Sequence, residues 1–224
     1  MAAQGLDLGV NDYLFEPLDQ AELQAQLARQ IRHKRASDRL RSTLGESLRW
    51  AFTDTLTGLF NRRYARQHLE RISDNARVAG KGFAVMMLDI DRFKRVNDRH
   101  GHGAGDVVLQ ELAKRLQANL RGIDLVARLG GEEFLIAMPE TSVAEAEIAS
   151  ERLRHVIECR PFTLPKTKAA GGRATRLQIT VSIGVTMAQP DCTDVETLIA
   201  EADKALYASK AEGRNMVTLF HRAA

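Results

Sequence analysis

Arg128-Leu129-Gly130-Gly131-Glu132-Glu133-Phe134 is a short segment between two largely apolar runs, residues 124–127 and 134–138. Two glycines between such runs predict a β-hairpin, because glycine adopts the positive φ angles that a tight turn needs. Glu132 and Glu133 then lie at the tip, directly before a phenylalanine expected in the core. Neighbouring carboxylates repel each other, so the pattern indicates a nearby positive charge, for which a divalent cation is one candidate. An acidic turn exposed to water is the alternative.

A second acidic segment ends the apolar run of residues 83–90, which is predicted to be a buried strand. Asp89 and Asp91 are separated by one residue, so their side chains share one side of the strand if it stays extended. Oxygen ligands of this kind are those that Mg²⁺ prefers. A strand that simply emerges into water is the alternative. Together the two carboxylate pairs indicate a metal site more specifically than either pair alone.

Composition places the chain among soluble globular proteins. Its 224 residues suffice for one domain and an extension, with 44% hydrophobic and 27% charged residues. The net charge of +3 is too mild to favour a nucleic-acid-binding surface. The two cysteines, Cys159 and Cys192, form no disulfide framework or metal motif, which is typical of a reducing cytosol and favours a cytoplasmic location. No apolar stretch is long enough to span a membrane, so no membrane partner is expected.

The remaining elements predict an α/β fold: a central mixed sheet flanked by helices and preceded by a helical stalk. The predicted helices are residues 64–79, a helix with Val108, Leu112, Leu116 and Leu120 on one face, residues 142–159 and residues 194–212. The predicted strands, besides the hairpin and residues 83–90, are a long strand or hairpin edge at 177–187 and a short strand at 216–220. Residues 160–174, rich in proline, glycine and basic residues, are predicted to be a loop.

Residues 92–106 carry several candidate ligand-binding side chains among glycines that permit a close approach to the backbone. Lys94 could offer its charge to a phosphate, and Asn97 and Asp106 could contact hydrogen-bond donors of a base. Each of these residues could instead be a turn residue or a helix cap. Asp106 in particular could complement the positive end of a helix.

Taken together, these motifs resemble the GGDEF domain of diguanylate cyclases. The resemblance rests on segments in the family's order: DTLTGLFNRR at 54–63, LDIDRFKRVND at 88–98, GHGAGD at 101–106, RLGGEEF at 128–134, VSIGV at 181–185 and ADKALYASKAEGRN at 202–215. It implies a GGDEF catalytic domain at 53–224, with the nucleotidyl-cyclase type of fold. Residues 1–35 resemble the C-terminal remnant of a receiver domain of the response-regulator type, although Glu16 replaces the usual lysine before the proline. Residues 36–52 are then a helical linker.

The resemblance implies the reaction and the site residues. Two GTP molecules condense to cyclic di-GMP and two pyrophosphates, and each protomer of a homodimer presents one GTP. Two Mg²⁺ or Mn²⁺ ions per active site are implied. The implied metal ligands are Asp89, the carbonyl of Ile90, Glu132 and Glu133; the catalytic residues are Glu132, as proton acceptor, and Lys94. The implied substrate-binding residues are Asn97, His102, Asp106, Lys210 and Arg214.

A product-inhibition site is also implied. Arg121 and Asp124 form the RxxD pattern of the family, and Arg152 matches its secondary arginine. We expect the RxxD pair to lie on the strand that leads into the hairpin. An arginine there can pair with the O6 and N7 atoms of guanine. The alternative is a surface salt bridge of little energetic value.

Two other functions compete with the cyclase. One is an inactive GGDEF domain that binds GTP or cyclic di-GMP as a receptor, and the other is a different metal-dependent nucleotidyl cyclase of similar fold. The first usually loses signature carboxylates, whereas Asp89, Glu132 and Glu133 are all present here. The RxxD pair and the intact signature argue against the second.

Overall fold

The computed structural model describes residues 51–164, 175–189 and 194–221, together with residues 24, 27, 28, 31 and 34. The chain divides into two compact units, Met1–Arg49 and Trp50–Ala224. In the first unit the described residues are helical, and the side chains of Leu27 and Ile31 are about half exposed. Most of the predicted receiver remnant at 1–35, and residues 36–50 of the predicted linker, lie outside the described residues.

The second unit is a six-stranded mixed sheet with helices on both faces, which confirms the predicted α/β fold. The helices are α1 (Arg62–Ala79), α2 (Phe93–His100), α3 (His102–Ala118), α4 (Val143–Cys159) and α5 (Val195–Ala211). The strands are β1 (Phe60–Asn61), β2 (Phe83–Ile90), β3 (Leu125–Gly130), β4 (Glu133–Pro139), β5 (Phe162–Leu164), β6 (Thr175–Leu177), β7 (Val181–Ala188) and β8 (Val217–Leu219). The sheet order is β1-β3-β4-β2-β7-β8, and β5 and β6 form a separate ribbon. Among the described helices, none combines the length and apolar content that crossing a bilayer requires.

Strand β2 organises the core because every one of its residues is buried. It is antiparallel to both β4 and β7, whereas the outer pairs β1–β3 and β7–β8 are parallel. Its alternate side chains enter two different hydrophobic clusters, as a period of two residues requires. Met86 and Leu88 pack with Leu112 of α3, while Val85 packs with Leu69 of α1. The strand is therefore covered on both faces along its whole length.

Helix ends and one close backbone approach hold the layers in register. Ser142 and Glu145 form a capping box at the start of α4. Asp194 caps α5 by accepting from two backbone N–H groups. Gly184 of β7 faces α5 so closely that an added Cβ would lie 2.1 Å from the carbonyl oxygen of Ala202. This contact brings α5, which carries Lys210, down onto the centre of the sheet.

The structure differs from the sequence prediction at several elements. Residues 177–187 are not one strand: Leu177 ends β6 in the small ribbon, and β7 begins at Val181 inside the main sheet. Part of the predicted loop at 160–174 is β5, which pairs with β6. Helix α2 and the two-residue β1 were not predicted, because α2 buries only Phe93 and so carries no apolar periodicity. Leu120 lies beyond the end of α3 but still packs against the core.

Candidate active site

The signature segment forms the predicted hairpin. Strands β3 and β4 are antiparallel, with a register shift between Arg128 and Gly130, and Gly131 has a φ of 52°. The guanidinium of Arg128 spans the turn from outside: its Nε and Nη2 donate to the carbonyl oxygen of Gly131 at 3.0 and 2.7 Å. Its Nη1 donates to Asp54 at 3.1 Å. The turn is therefore fixed by a side chain of its own strand and by a residue 74 positions earlier.

Asp54 anchors this arrangement. It also accepts from the backbone N–H and the hydroxyl of Thr57, at 2.9 and 2.7 Å. Burial raises the pKa of Asp54, but the hydrogen bonds from Thr57 and Arg128 outweigh burial and hold that pKa below its ordinary value. This pair was not predictable from the sequence, because a lone Asp and a lone Arg so far apart give no pattern.

The end of β2 meets the hairpin tip. Asp89 is the register partner of Glu133 on β4, so the two acidic segments that the sequence singled out lie side by side. The side chain of Asp89 is 6% exposed, Glu132 is half-buried and Glu133 is exposed. Lys210, in the last turn of α5, places its Nζ 2.8 Å from Asp89 Oδ2. The buried carboxylate of Asp89 thus has a cationic partner, Lys210, while the carboxylates of Glu132 and Glu133 lie beside it.

The electrostatics indicate too little positive charge in this cluster. Burial raises the pKa of Asp89; Lys210 opposes that effect, while Glu133 and Asp91 add to it. Burial also raises the pKa of Glu132, and the negative charges of Asp89 and Glu133 raise it further against the influence of Lys210. A further cation would relieve this repulsion.

The donors fit a hard divalent cation, although they are not gathered into a coordination sphere. Within the described ranges, no three His, Cys, Asp or Glu side chains lie close enough to hold a metal by themselves. The candidate ligands are the carboxylates of Asp89, Glu132 and Glu133 and the carbonyl of Ile90, all of them oxygens, as Mg²⁺ prefers. The repulsion among these carboxylates is the feature that a metal would satisfy.

Asp91 has a different role from the one its spacing suggested. Its oxygens accept from the hydroxyls of Thr180 and Ser182, both at 2.6 Å, and from the backbone N–H of Asn215 at 2.9 Å. These donors come from the start of β7 and from the turn after α5. Asp91 is therefore a buried structural anchor that ties three chain segments together, and its oxygens are already satisfied by protein donors.

The other residues predicted for catalysis and substrate binding lie on α2, on α3 and in the turn after α5. Lys94 is exposed on α2, and His102 and Asp106 are exposed in the first turns of α3. Asn97 lies where α2 meets α3: a Cβ on Gly105 would come 2.0 Å from its Oδ1, an atom that is buried without a hydrogen-bond partner. Arg214 follows α5 in a left-handed backbone conformation, with φ at 68°.

The RxxD residues lie in the loop before β3, not on the strand as expected, because β3 begins at Leu125. Asp124 is buried and accepts from the backbone N–H of Arg121 at 2.7 Å and from its Nη2 at 2.9 Å. The same Nη2 donates to the carbonyl of Pro139 and to the hydroxyl of Thr141. Arg152 of α4 donates to the carbonyl of Asn119 in the neighbouring loop. The hydrogen bonds to Asp124, Pro139 and Thr141 therefore hold the Arg121 side chain in place. The contact with Thr141 was not visible in the sequence.

The chain is similar to known proteins in both sequence and structure. The family described as "Diguanylate cyclase, GGDEF domain" matches residues 51–216. The response regulator PleD of Caulobacter vibrioides is 44% identical over 214 residues, which are 96% of this chain and 46% of PleD, so the chain spans about half the length of that relative.

Two solved structures are similar to the chain. The coiled coil and GGDEF domain of DgcB from Caulobacter crescentus, in complex with c-di-GMP, has a TM-score of 0.75 at 33% identity and covers 88% of this chain and 98% of its own. The active GGEEF domain of a diguanylate cyclase from Vibrio cholerae has a TM-score of 0.64 at 29% identity, covering 73% and 98%.

Proposed function

Because the chain belongs to the diguanylate cyclase GGDEF domain family, we propose that it condenses two GTP molecules into cyclic di-GMP and two pyrophosphates. The observation that carries the proposal is the juxtaposition of Asp89 with Glu133 and Glu132, beside Lys210. Each protomer would present one GTP, so a homodimer completes the reaction by bringing two half-sites together. The 3′-hydroxyl of one GTP then attacks the α-phosphate of the other.

Asp89, the carbonyl of Ile90, Glu132 and Glu133 would hold two Mg²⁺ or Mn²⁺ ions. Such ions polarise phosphoryl oxygens and neutralise charge on the attacking and leaving oxygens. Glu132 accepts the proton of the 3′-hydroxyl; burial and the nearby carboxylates raise its pKa, which makes it a stronger base than an ordinary glutamate. Glu133, exposed at the tip, acts as a ligand.

Basic and polar side chains around the cluster position the nucleotide. Lys94 stabilises charge that develops in the transition state, and Lys210 and Arg214 hold phosphates. Asp106 accepts from the guanine N1 and N2 donors, which adenine lacks, and Asn97 and His102 line the same part of the site. Since Lys210 already pairs with Asp89, a bound phosphate would share the lysine with that carboxylate.

The RxxD loop supplies product feedback. Cyclic di-GMP would bind Arg121, Asp124 and Arg152 and inhibit without competing with GTP, since these residues are separate from the carboxylate cluster. Strand β4 runs from Glu133 at the cluster to Pro139, whose carbonyl accepts from Arg121. A ligand that draws Arg121 away from Pro139 therefore acts on the far end of the strand that carries Glu133. Inhibition requires that the product binds the inactive arrangement more tightly.

The direct test is to incubate the protein with GTP and Mg²⁺ and to identify the product by mass. Cyclic di-GMP and pyrophosphate in a 1:2 ratio are expected from the balanced reaction. Recovery of unreacted GTP, with tight binding of GTP or cyclic di-GMP, would replace the cyclase with a receptor.

A further inference from the structure

A basic cleft lies beside α2. Its volume is about 730 Å³, within the range of small-molecule sites. It is lined by α2, by residues 177–180 between β6 and β7, and by the turn at 213–215. Among the residues assigned above to substrate or metal, Arg214 alone lines it, so the cleft adjoins the proposed active site without being part of it.

The cleft is strongly positive. Arg92, Arg95, Arg99 and Arg214 line it with two carboxylates, Asp91 and Asp98, which leaves two excess positive charges with His100 neutral. The carboxylate of Asp91 already accepts three hydrogen bonds from protein donors. Across the part of the chain that the structure describes, none of the four arginine side chains has a hydrogen-bond or ion-pair partner.

Several other arginines of the domain differ from these four in having a carboxylate partner. Arg66, Arg121 and Arg154, for example, each pair with a carboxylate. Four guanidinium groups that converge on one concave surface without partners repel each other, and an anion is the ligand that would relieve this repulsion.

The walls of the cleft are rigid and strained. Arg92, Arg214 and Asn215 are three of the four described non-glycine residues with positive φ. Such conformations cost energy and persist where surrounding contacts hold them. Asn215 is held by the Asp91 carboxylate through its backbone N–H, by Arg154 at 3.0 Å and by Glu158 at 2.7 Å. Arg214 is therefore presented on a fixed turn, at the boundary between the cleft and the cluster.

We propose that this cleft binds a polyphosphate anion of the pyrophosphate class. Guanidinium groups match phosphate oxygens in bidentate geometry, and a diphosphate is short enough to lie wholly inside the cleft. Two sources share this chemistry: pyrophosphate released by the reaction and the tail of a bound triphosphate. The identity of pyrophosphate as the by-product rests on the proposed function, whereas the anion cleft itself does not.

The test is calorimetric titration of pyrophosphate, without divalent cations, into the full chain and three variants. Arg95→Gln with Arg99→Gln in one chain should weaken pyrophosphate binding at least about tenfold, since two charge-assisted contacts are lost. Arg71→Gln, a change of an exposed arginine on α1, is the matched control and should bind as the unchanged protein does. Equal affinity in the double variant and the control overturns the proposal.

A second titration distinguishes the two sources of the anion, free pyrophosphate and the triphosphate tail. A third distinguishes the proposal of an anion cleft from the proposed function. A non-hydrolysable GTP analogue whose affinity falls in the double variant assigns the cleft to the triphosphate tail; an analogue unaffected by it assigns the cleft to free pyrophosphate. Glu132→Gln should keep full pyrophosphate affinity. Pyrophosphate binding without cyclase activity in the unchanged protein would refute the proposed function alone, and activity without pyrophosphate binding would refute the cleft alone.

Discussion

Glu132 and Glu133 are neighbours in sequence with different surroundings. Glu132 is half-buried and its pKa is raised by burial and by Asp89, whereas Glu133 is exposed and pairs in register with Asp89. Glutamine at position 132 keeps the size of the side chain but accepts no proton. Glu132→Gln should therefore lower the initial rate of cyclic di-GMP formation by about 10²-fold or more.

The control for that experiment is Glu147→Gln, an exposed residue of α4 remote in sequence from the signature. It should leave the initial rate unchanged. Full activity in Glu132→Gln would remove the proton-accepting role from this residue and leave Glu133 as the candidate.

Gly184 is a residue whose side chain is excluded by backbone. An added Cβ would lie 2.1 Å from both the Ala202 carbonyl oxygen and the Leu206 N–H nitrogen, and neither can move without shifting α5. Gly184→Ala should reduce the free energy of unfolding by about 3 kcal/mol or more. Urea unfolding followed by circular dichroism measures this loss. Gly103→Ala, with open space at its Cβ position, is the control and should show no loss.

At the scale of elements, the sequence predicts best where a local pattern coincides with tertiary packing. Strand β2 was predicted with its observed ends because its apolar run is buried on both faces. Helix α4 was predicted because its segment is capped and amphipathic. The hairpin followed from its glycines. Such elements need no knowledge of distant residues.

The elements and contacts that escaped prediction depend on distant partners. The two-residue β1 exists only through pairing with β3, and α2 buries a single side chain. Arg121 donates to Pro139 and Thr141, which lie 18 and 20 positions further along the chain. The hydroxyl of Ser182 donates to Asp91, which lies 91 positions earlier. No periodicity in the sequence records such contacts, so the supports of the candidate site could not be predicted from the sequence.

The pair of Asp54 and Arg128 links the segment before β1 to the hairpin and should make stability depend on pH. The folded pKa of Asp54 lies below its ordinary value of 3.8, so its ionised form contributes stability above that pH, which is lost as pH falls through the folded pKa. The difference in unfolding free energy between the unchanged protein and Asp54→Asn should be largest near neutral pH and should shrink below pH about 4.

Urea titrations at neutral and acidic pH check this. Asp74→Asn, which removes an exposed carboxylate paired with Arg77 on α1, is the control and should show a much smaller pH-dependent difference. If the difference in unfolding free energy between the unchanged protein and Asp54→Asn stays constant over the whole pH range, the charge of Asp54 does not have this role.

The RxxD loop and β4 meet through Arg121, which makes this contact the element that product should act on. Arg121→Ala should weaken binding of cyclic di-GMP at least about tenfold, since charge-assisted hydrogen bonds are lost, while initial turnover stays largely intact. Arg152→Ala should weaken it more mildly, because Arg152 contacts only a loop carbonyl among the described residues.

Calorimetric titration of cyclic di-GMP beside initial-rate assays measures both effects. Arg77→Ala, from an exposed pair on α1, is the control. If cyclic di-GMP binds the unchanged protein and Arg121→Ala equally tightly, or if GTP overcomes the inhibition competitively, Arg121 and Asp124 form only a surface salt bridge.

At the scale of the whole molecule, the proposed reaction joins two nucleotides, and one protomer contains one set of the candidate carboxylates and basic residues. Under the proposed function, an active centre therefore needs two protomers face to face. Specific activity should therefore rise with protein concentration and level off once the protein is dimeric. Initial rates over a hundredfold dilution, with sedimentation at the same concentrations, test this. A rate per protomer that does not change while the protein dissociates would mean that a single protomer completes the reaction.

The way in which Arg128 holds the Gly131 carbonyl has a consequence for how such domains diverge. The shape of the turn depends on an arginine, two glycines and Asp54, and not on the carboxylates that the turn displays. Mutations can therefore exchange Glu132 or Glu133 while the fold persists. A duplicated gene that is no longer selected for catalytic activity would still encode the intact fold, with Arg121 in its loop. Under the proposed function, descendants of this architecture can thus lose the synthesis of cyclic di-GMP and remain as ligand-binding domains, one substitution at a time.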